Sequence, residues 1–254
     1  MKKTLILIFF ISNLCFAQNQ SAYKNGEWLS FKVSYSGWLT AGKASLKLTE
    51  DKHNELFHVK AVGKTTGAIK WFFKVEDNYQ TYFSNKSGLP KKFIRKINEG
   101  GHTKNLTINF DQINNKAIVN NIKKKSVNEF STKDNVQDML SVFYFLRNKY
   151  NLDEIQTNND LYVNMFFDSE NYEFKMKYLG LETINTKFGK IKCIKLRPFV
   201  QSGRVFKEKE SLTLWISADN NKIPVRIKAN LVVGSVRVDL DAFSGLNHPF
   251  EIKF

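Results

Sequence analysis

Cysteine is nearly absent from this 254-residue chain, which carries only Cys15 and Cys193. Cys15 falls in an N-terminal stretch that reads as a leader, so the exported chain would keep one thiol and no internal disulfide. Stability must then come from packing, which a chain of this size can supply. Cys193 sits between Lys192 and Ile194 in an apolar strand and is read as buried rather than nucleophilic. Histidine is also scarce, with four copies. His53 and His58 would face opposite sides of a strand, and His102 and His248 lie in or beside turns, so no metal site is expected. No cofactor motif is present either. Gly63-Lys64-Thr65 lacks the glycine spacing of a phosphate loop, and Ser141, Ser211 and Ser217 lack the Gly-x-Ser-x-Gly context of a hydrolase elbow. Beyond the leader no apolar run is long enough to span a membrane, so the mature chain should be soluble. Only four prolines occur and no low-complexity linker divides the chain.

Lys2 and Lys3 precede an apolar run from Leu5 to Phe10, and Cys15-Phe16-Ala17 places small residues where a signal peptidase reads. The expectation is a signal peptide over 1–17, cut before Gln18, and a single β-rich domain over 18–254. A lipoprotein signal acylated at Cys15 is the rival, disfavoured by the bulky Leu14. Without the leader the chain keeps 37 basic against 24 acidic residues, a net charge of about +13. Such a chain in the periplasm or outside the cell suits anionic lipid head groups or acidic glycans as neighbours. Its lysines are scattered rather than striped, so solubility is the plainer reading and no nucleic-acid partner is expected.

What the chain has in abundance is alternation. Leu29, Phe31, Val33 and Tyr35 alternate with polar residues, as do Leu106, Ile108 and Phe110, then Leu161, Val163, Met165 and Phe167, then Ile223, Val225 and Ile227. Turn residues separate these runs, notably Gly100-Gly101 and Asp219-Asn220-Asn221. One wet face on so many strands argues for antiparallel sheet, and too few helices exist for parallel crossovers. The stretch from Asn120 to Lys133, with Lys123-Lys124-Lys125, reads as a polar connection.

One helix interrupts the strands. Val136, Met139, Leu140, Phe143, Leu146 and Tyr150 form a helical stripe, Val142 and Phe145 add a flank, and Asp134 with Gln137 supplies a capping box. The spacing predicts a helix over about 135–149. A long meander must curl to hide its dry face, so the predicted fold is all-β, a strongly curved sheet or open barrel with that helix at its centre.

Several ordered motifs carry a resemblance: GEWLSFKVSYSGWLTAGKASLKL from Gly26, EDNYQTYF from Glu76, NEGGHTKNLTINFD from Asn98, QDMLSVFYFLR from Gln137, FGKIKCIKLRPFVQSGRVFK from Phe188 and LWISADNNKIPVRIKANLVVGSVRVDL from Leu214. Together they resemble the exported family described as domain of unknown function 3108. The resemblance implies a β-rich periplasmic or envelope-associated protein and brings no activity with it. Gly101-His102 departs from the glycine-to-tyrosine step of that family.

Two readings of the aromatic residues stay open. Trp71, Phe72 and Phe73 are read first as core, with a rim of aromatics at a cavity mouth as the alternative. Arg147 needs a carboxylate or a ligand anion if its helix face points inward, and only water if outward. The expected function is binding or carriage of a lipid or other amphiphile, with Trp71, Phe73, Phe143, Phe145 and Arg147 as candidate contacts. A structural or assembly role in the envelope is the alternative. An envelope hydrolase acting on glycan or peptide is a third, and would need two of Glu99, Asp77, His102 and Asp219 to converge in one cleft.

Overall fold

The computed structural model describes residues 21–37, 39–158, 160–199 and 211–253, so the leader expected over 1–17 lies outside the described residues. Fourteen strands among them build one sheet. The first eight are β1 (Trp28–Tyr35), β2 (Leu39–Asp51), β3 (Leu56–Thr65), β4 (Glu76–Ser84), β5 (Pro90–Glu99), β6 (His102–Asp111), β7 (Lys116–Asn121) and β8 (Ser126–Ser131). The remainder are β9 (Asp160–Phe167), β10 (Glu170–Thr186), β11 (Gly189–Pro198), β12 (Leu212–Ser217), β13 (Pro224–Asn230) and β14 (Ser235–Ser244). Their order across the sheet is β8-β7-β6-β5-β4-β3-β2-β1-β14-β13-β12-β11-β10-β9, antiparallel throughout.

Two meanders therefore meet at the centre, where β1 pairs with β14 from Trp28↔Ser244 to Tyr35↔Val236. The free edges, β8 and β9, are consecutive in the chain. This bears out the expected curved antiparallel sheet, which rolls up without closing into a barrel. Residues 132–138 strap the gap instead. The Gln137 N–H donates to the Asn164 carbonyl at 2.8 Å, the Phe166 N–H donates to the Gln137 carbonyl at 3.0 Å, and the Asn171 amide donates to the Ser131 carbonyl at 2.8 Å. Backbone groups of an otherwise exposed edge are satisfied in this way.

The strap shortens the helix. The principal helix, α2, runs Ser141–Lys149 rather than 135–149. Asp134 does not cap it, because Asp134 and Asn135 (φ 52°) form a turn, Gln137 pairs with β9, and Asp134 accepts a bond from the Asn115 amide at 2.6 Å. Asp138 takes that role. Its Oδ1 accepts the Leu140 and Ser141 N–H groups at 2.8 and 2.9 Å, while Ser141 Oγ accepts the Asp138 N–H at 2.9 Å, a reciprocal capping box. Two short helices accompany it, α1 (Ile69–Phe72) and α3 (Leu152–Asn158). The polar stretch from Asn120 to Lys133 contains β7's last residues, a turn ending at left-handed Lys125 (φ 51°) and the largely exposed edge strand β8.

α2 lies within the curve and is packed from several directions. Met139 and Leu140 meet Phe93, Ile108 and Phe166, while Phe143 and Tyr144 meet Leu48, Val59 and Phe83. Leu146 and Tyr150 meet Ile194, Leu196 and Ile216. The deepest face is not the predicted stripe, however. Val142, Tyr144 and Arg147 are its buried side chains along with Ser141, whereas Phe143, Phe145 and Leu146 are half-buried.

Candidate functional site

Arg147 explains the shift of face. It is 2% exposed, and its guanidinium meets the Glu27 carboxylate end-on, Nη1 to Oε1 and Nη2 to Oε2, both at 2.7 Å. Its Nε donates to the Asn221 carbonyl at 2.8 Å and Nη2 to the Ala22 carbonyl at 3.1 Å. The rings of Tyr23, Phe143 and Tyr144 surround it with centroids 5.0–5.3 Å away. Burial alone would pull the guanidinium's pKa down, and the Glu27 charge more than offsets it. The inward alternative is thus realised with a carboxylate of the chain itself, and most of the Arg147 donors are occupied. A void of about 110 Å3 lies beside Phe143, Leu146 and Arg147 against β9 to β12. That is well below the roughly 300–1,000 Å3 of small-molecule pockets.

Phe145 lies elsewhere, against Val142, Val163 and Met165. Trp71 and Phe73 are further removed. The reading of Trp71, Phe72 and Phe73 as core is corrected: their exposures are 87%, 85% and 53%. Among the described residues, the four-residue helix in the β3–β4 connection has no second layer to cover Trp71 and Phe72. The five candidate contacts do not converge on one site.

The larger apolar hollow is at the open end of the central strands. About 430 Å3 in volume, it is lined by Val33 and Tyr35 of β1, Ala44 of β2, Ile69 and Phe73 of the α1 loop, and Val236 of β14, among others. Its origin is in the register. Phe31 pairs with Ala44 and Ala44 with Gly63, while Val33 pairs with Gly42 and Gly42 with Thr65. Deeper in, Leu29 and Phe31 are covered by Ile223 and Leu240. Toward the end, Ala44 and Gly63 offer too little side chain to fill the space that Val33, Tyr35 and Val236 enclose.

The α1 loop is fixed over this recess. The Thr66 N–H donates to the Ala41 carbonyl at 3.0 Å, and the Val75 N–H donates to Thr65 Oγ1 at 3.0 Å. Phe73 lies on the β5–β6 turn, where Gly100 (φ 58°) and Gly101 (φ 88°) make a two-residue turn of the kind that requires left-handed backbone. A Cβ at Gly100 would sit 2.5 Å from the Phe73 ring.

Titratable groups gather at the same end. Asp77 and Glu99 do converge, and the Asp77 carboxyl is pushed up to about 6, by burial first and then by the Glu99 charge. His102 neighbours Glu99 across the hairpin, whereas Asp219 caps the β12–β13 turn, accepting from Ser217 Oγ at 2.7 Å. Asp168, which the sequence marks only as a turn residue, accepts from Arg95 at 2.6 Å and also from Lys104. Burial would raise the Asp168 carboxyl, but the hydrogen bonds from Lys104 and Arg95 hold it below the usual range. Its φ of 48°, followed by 76° at Ser169, shows that these ion pairs secure a two-residue turn built without glycine. Cys193 is buried, and burial pushes its thiol up to about 12, which leaves it protonated and unreactive.

The model of the family described as "Protein of unknown function (DUF3108)" matches residues 30–241. The chain belongs to that family. Its fold is similar to a β-barrel-like protein of domain of unknown function DUF1849 from Brucella abortus, at 10% identity over 89% of this chain and 100% of the other, with a TM-score of 0.58. Weaker likenesses are to a candidate exported protein with YmcC-like fold from Bacteroides fragilis (8% identity, 87% and 97% covered, TM-score 0.34) and a candidate lipoprotein from Parabacteroides distasonis (14%, 88% and 98%, 0.38). No curated protein matches the sequence. No helix among the described residues is long and apolar enough to cross a membrane.

Proposed function

We propose that this DUF3108 protein is exported to the cell envelope and holds an apolar or amphiphilic molecule in the recess at the open end of its sheet. The observation that carries the reading is the recess itself, about 430 Å3 of space bordered by aliphatic and aromatic side chains. Of the residues singled out in the sequence, this site uses Phe73 directly. Export rests on the lysine-flanked apolar leader. The test is saturable binding of the apolar fluorophore N-phenyl-1-naphthylamine. A Cβ at Gly63, which lines the hollow, meets nothing nearer than Asp77 Cβ at 4.0 Å, so Gly63→Leu is the substitution chosen to occupy the space. Wild-type protein should bind and Gly63→Leu should bind at least about tenfold more weakly, a difference of about 1.4 kcal/mol. Equal binding by the two would remove the recess as the site. No binding by either would favour a structural or assembly role.

Hydrolysis of glycan or peptide is a second reading, favoured by the Asp77–Glu99 pair alone. A partly buried carboxyl raised by a second carboxylate beside it suits a general-acid role. Turnover of peptidoglycan fragments that Asp77→Asn abolishes would support it, and unaltered fragments in the presence of wild-type protein would end it.

A further inference from the structure

We infer that the α1 loop and the adjoining β13–β14 turn form a docking face for an anionic lipid bilayer, with Trp71 and Phe72 as the side chains that enter it. This goes beyond the recess reading, since docking requires no molecule in the hollow. Trp71 and Phe72 are consecutive, and both are more than four-fifths exposed. They lack cover on a loop held at both ends by backbone bonds and by Phe73 on Gly100, so their exposure is built into the fold. Val232 and Val233, 60% and 73% exposed, extend the apolar tip from the other side of the recess, which Leu231 and Ile69 line together. The Tyr35 hydroxyl donates to the Val233 carbonyl at 3.1 Å and fixes that turn as well.

Charge selects the partner. Lys70 is exposed within α1, and Lys74 follows it with Glu76 as its ion partner. The basin alongside is lined by Lys64, Lys96 and Lys123, by Lys104 with Asp168 as its ion partner, and by Glu76 and Asp77. An aromatic tip with a cationic surround matches the two demands of a bilayer surface, apolar burial just below the head groups and attraction to their phosphates. The indole of Trp71 joins an apolar ring to an N–H donor, a combination suited to the head-group level of a bilayer.

The experiment is co-sedimentation of the purified full chain with vesicles of phosphatidylglycerol and phosphatidylethanolamine, beside vesicles of phosphatidylcholine. The expected result is binding to the anionic vesicles, weakened by salt, with tryptophan emission quenched by brominated lipid in wild-type protein and not in a variant lacking Trp71. The double variant Trp71→Ala, Phe72→Ala should lose at least about tenfold in binding while keeping its denaturation midpoint. Lys70→Ala should lose less and flatten the salt dependence. Wild-type protein left in the supernatant, or a double variant that pellets like wild type, would overturn the inference. Either result leaves the fluorophore test of the recess untouched.

Discussion

Two aromatic clusters of similar composition have opposite fates in this molecule. Tyr23, Phe143 and Tyr144 close around Arg147 in the interior, whereas Trp71, Phe72 and Phe73 stand at the open end with most of their surface in water. The difference is in what arrives from elsewhere in the chain. Around Arg147 converge the N-terminal segment through Ala22 and Glu27, the β12–β13 turn through Asn221, and the C-terminal segment, whose His248 and Pro249 carbonyls accept from the Asn221 amide at 3.1 Å. Among the described residues, α1 has the glycine turn beneath Phe73 and the recess it shares with Leu231, and nothing that covers Trp71 or Phe72. Apolar character supplies the drive to be buried, but long-range topology decides whether cover exists.

The sharpest break of that contrast is Arg147→Ala. It leaves the Glu27 carboxylate buried and unpaired, and should cost about 3–5 kcal/mol in urea denaturation. A double replacement, Glu27→Leu with Arg147→Met, should recover most of that loss, because the pair is removed together with its desolvation penalty. Recovery of nothing would show that the Asn221 and Ala22 bonds, rather than the ion pair, hold the cluster.

Next in size is Asp138→Ala, which removes the α2 cap and strands the Thr81 hydroxyl that donates to Asp138. A loss of about 2–3 kcal/mol is expected from cap and unsatisfied partner together. Burial pushes the Asp138 carboxyl up to about 6 despite the Thr81, Ser141 and Leu140 bonds, and Asp77 likewise stands at about 6. In both cases the folded state binds a proton more tightly than the unfolded chain, whose carboxyls titrate near 4. Stability contributed by the protonated form is therefore lost as pH rises from about 4 through about 6. Asp77→Asn should flatten part of that slope, measured as denaturation midpoint against pH. An unchanged profile would show that Asp77 contributes nothing to that slope.

Gly100→Ala sharpens the comparison from the exposed side. The new methyl would meet the Phe73 ring on a backbone already at φ 58°, so the α1 loop must shift. The expected cost is about 1 kcal/mol, with faster amide exchange confined to residues 66–75. Smallest of all, Trp71→Ala should change stability by no more than about 0.5 kcal/mol, as befits a side chain with almost nothing to lose on unfolding. A larger loss would mean that this cluster is covered in solution.

Much of the fold was legible in the amino-acid order because its signals are local. Two-residue alternation, Gly100-Gly101 at a hairpin tip and an apolar segment from Met139 to Tyr150 each act through neighbours, and the antiparallel sheet wrapped around α2 follows from them. α3 was also there to be found, since Asn151 and Glu154 cap each other reciprocally, Oδ1 accepting the Glu154 N–H and Oε2 accepting the Asn151 N–H, both at 2.8 Å. β8 was not, because an edge strand with one ladder partner needs no dry face and reads as a polar linker.

What lay beyond local reading was every decision made between residues distant in the chain. Asp134 and Asp138 are both competent caps, and the strap's pairing with β9 drew the first out of the helix. Glu27 turned Arg147 from an open question into a buried pair across 120 positions. The recess exists because register set Ala44 beside Gly63, beneath an α1 loop that spans the space without filling it. Local order specifies which conformations and faces are cheap, but burial, charge pairing and empty space belong to pairs of surfaces, and those surfaces meet only in three dimensions.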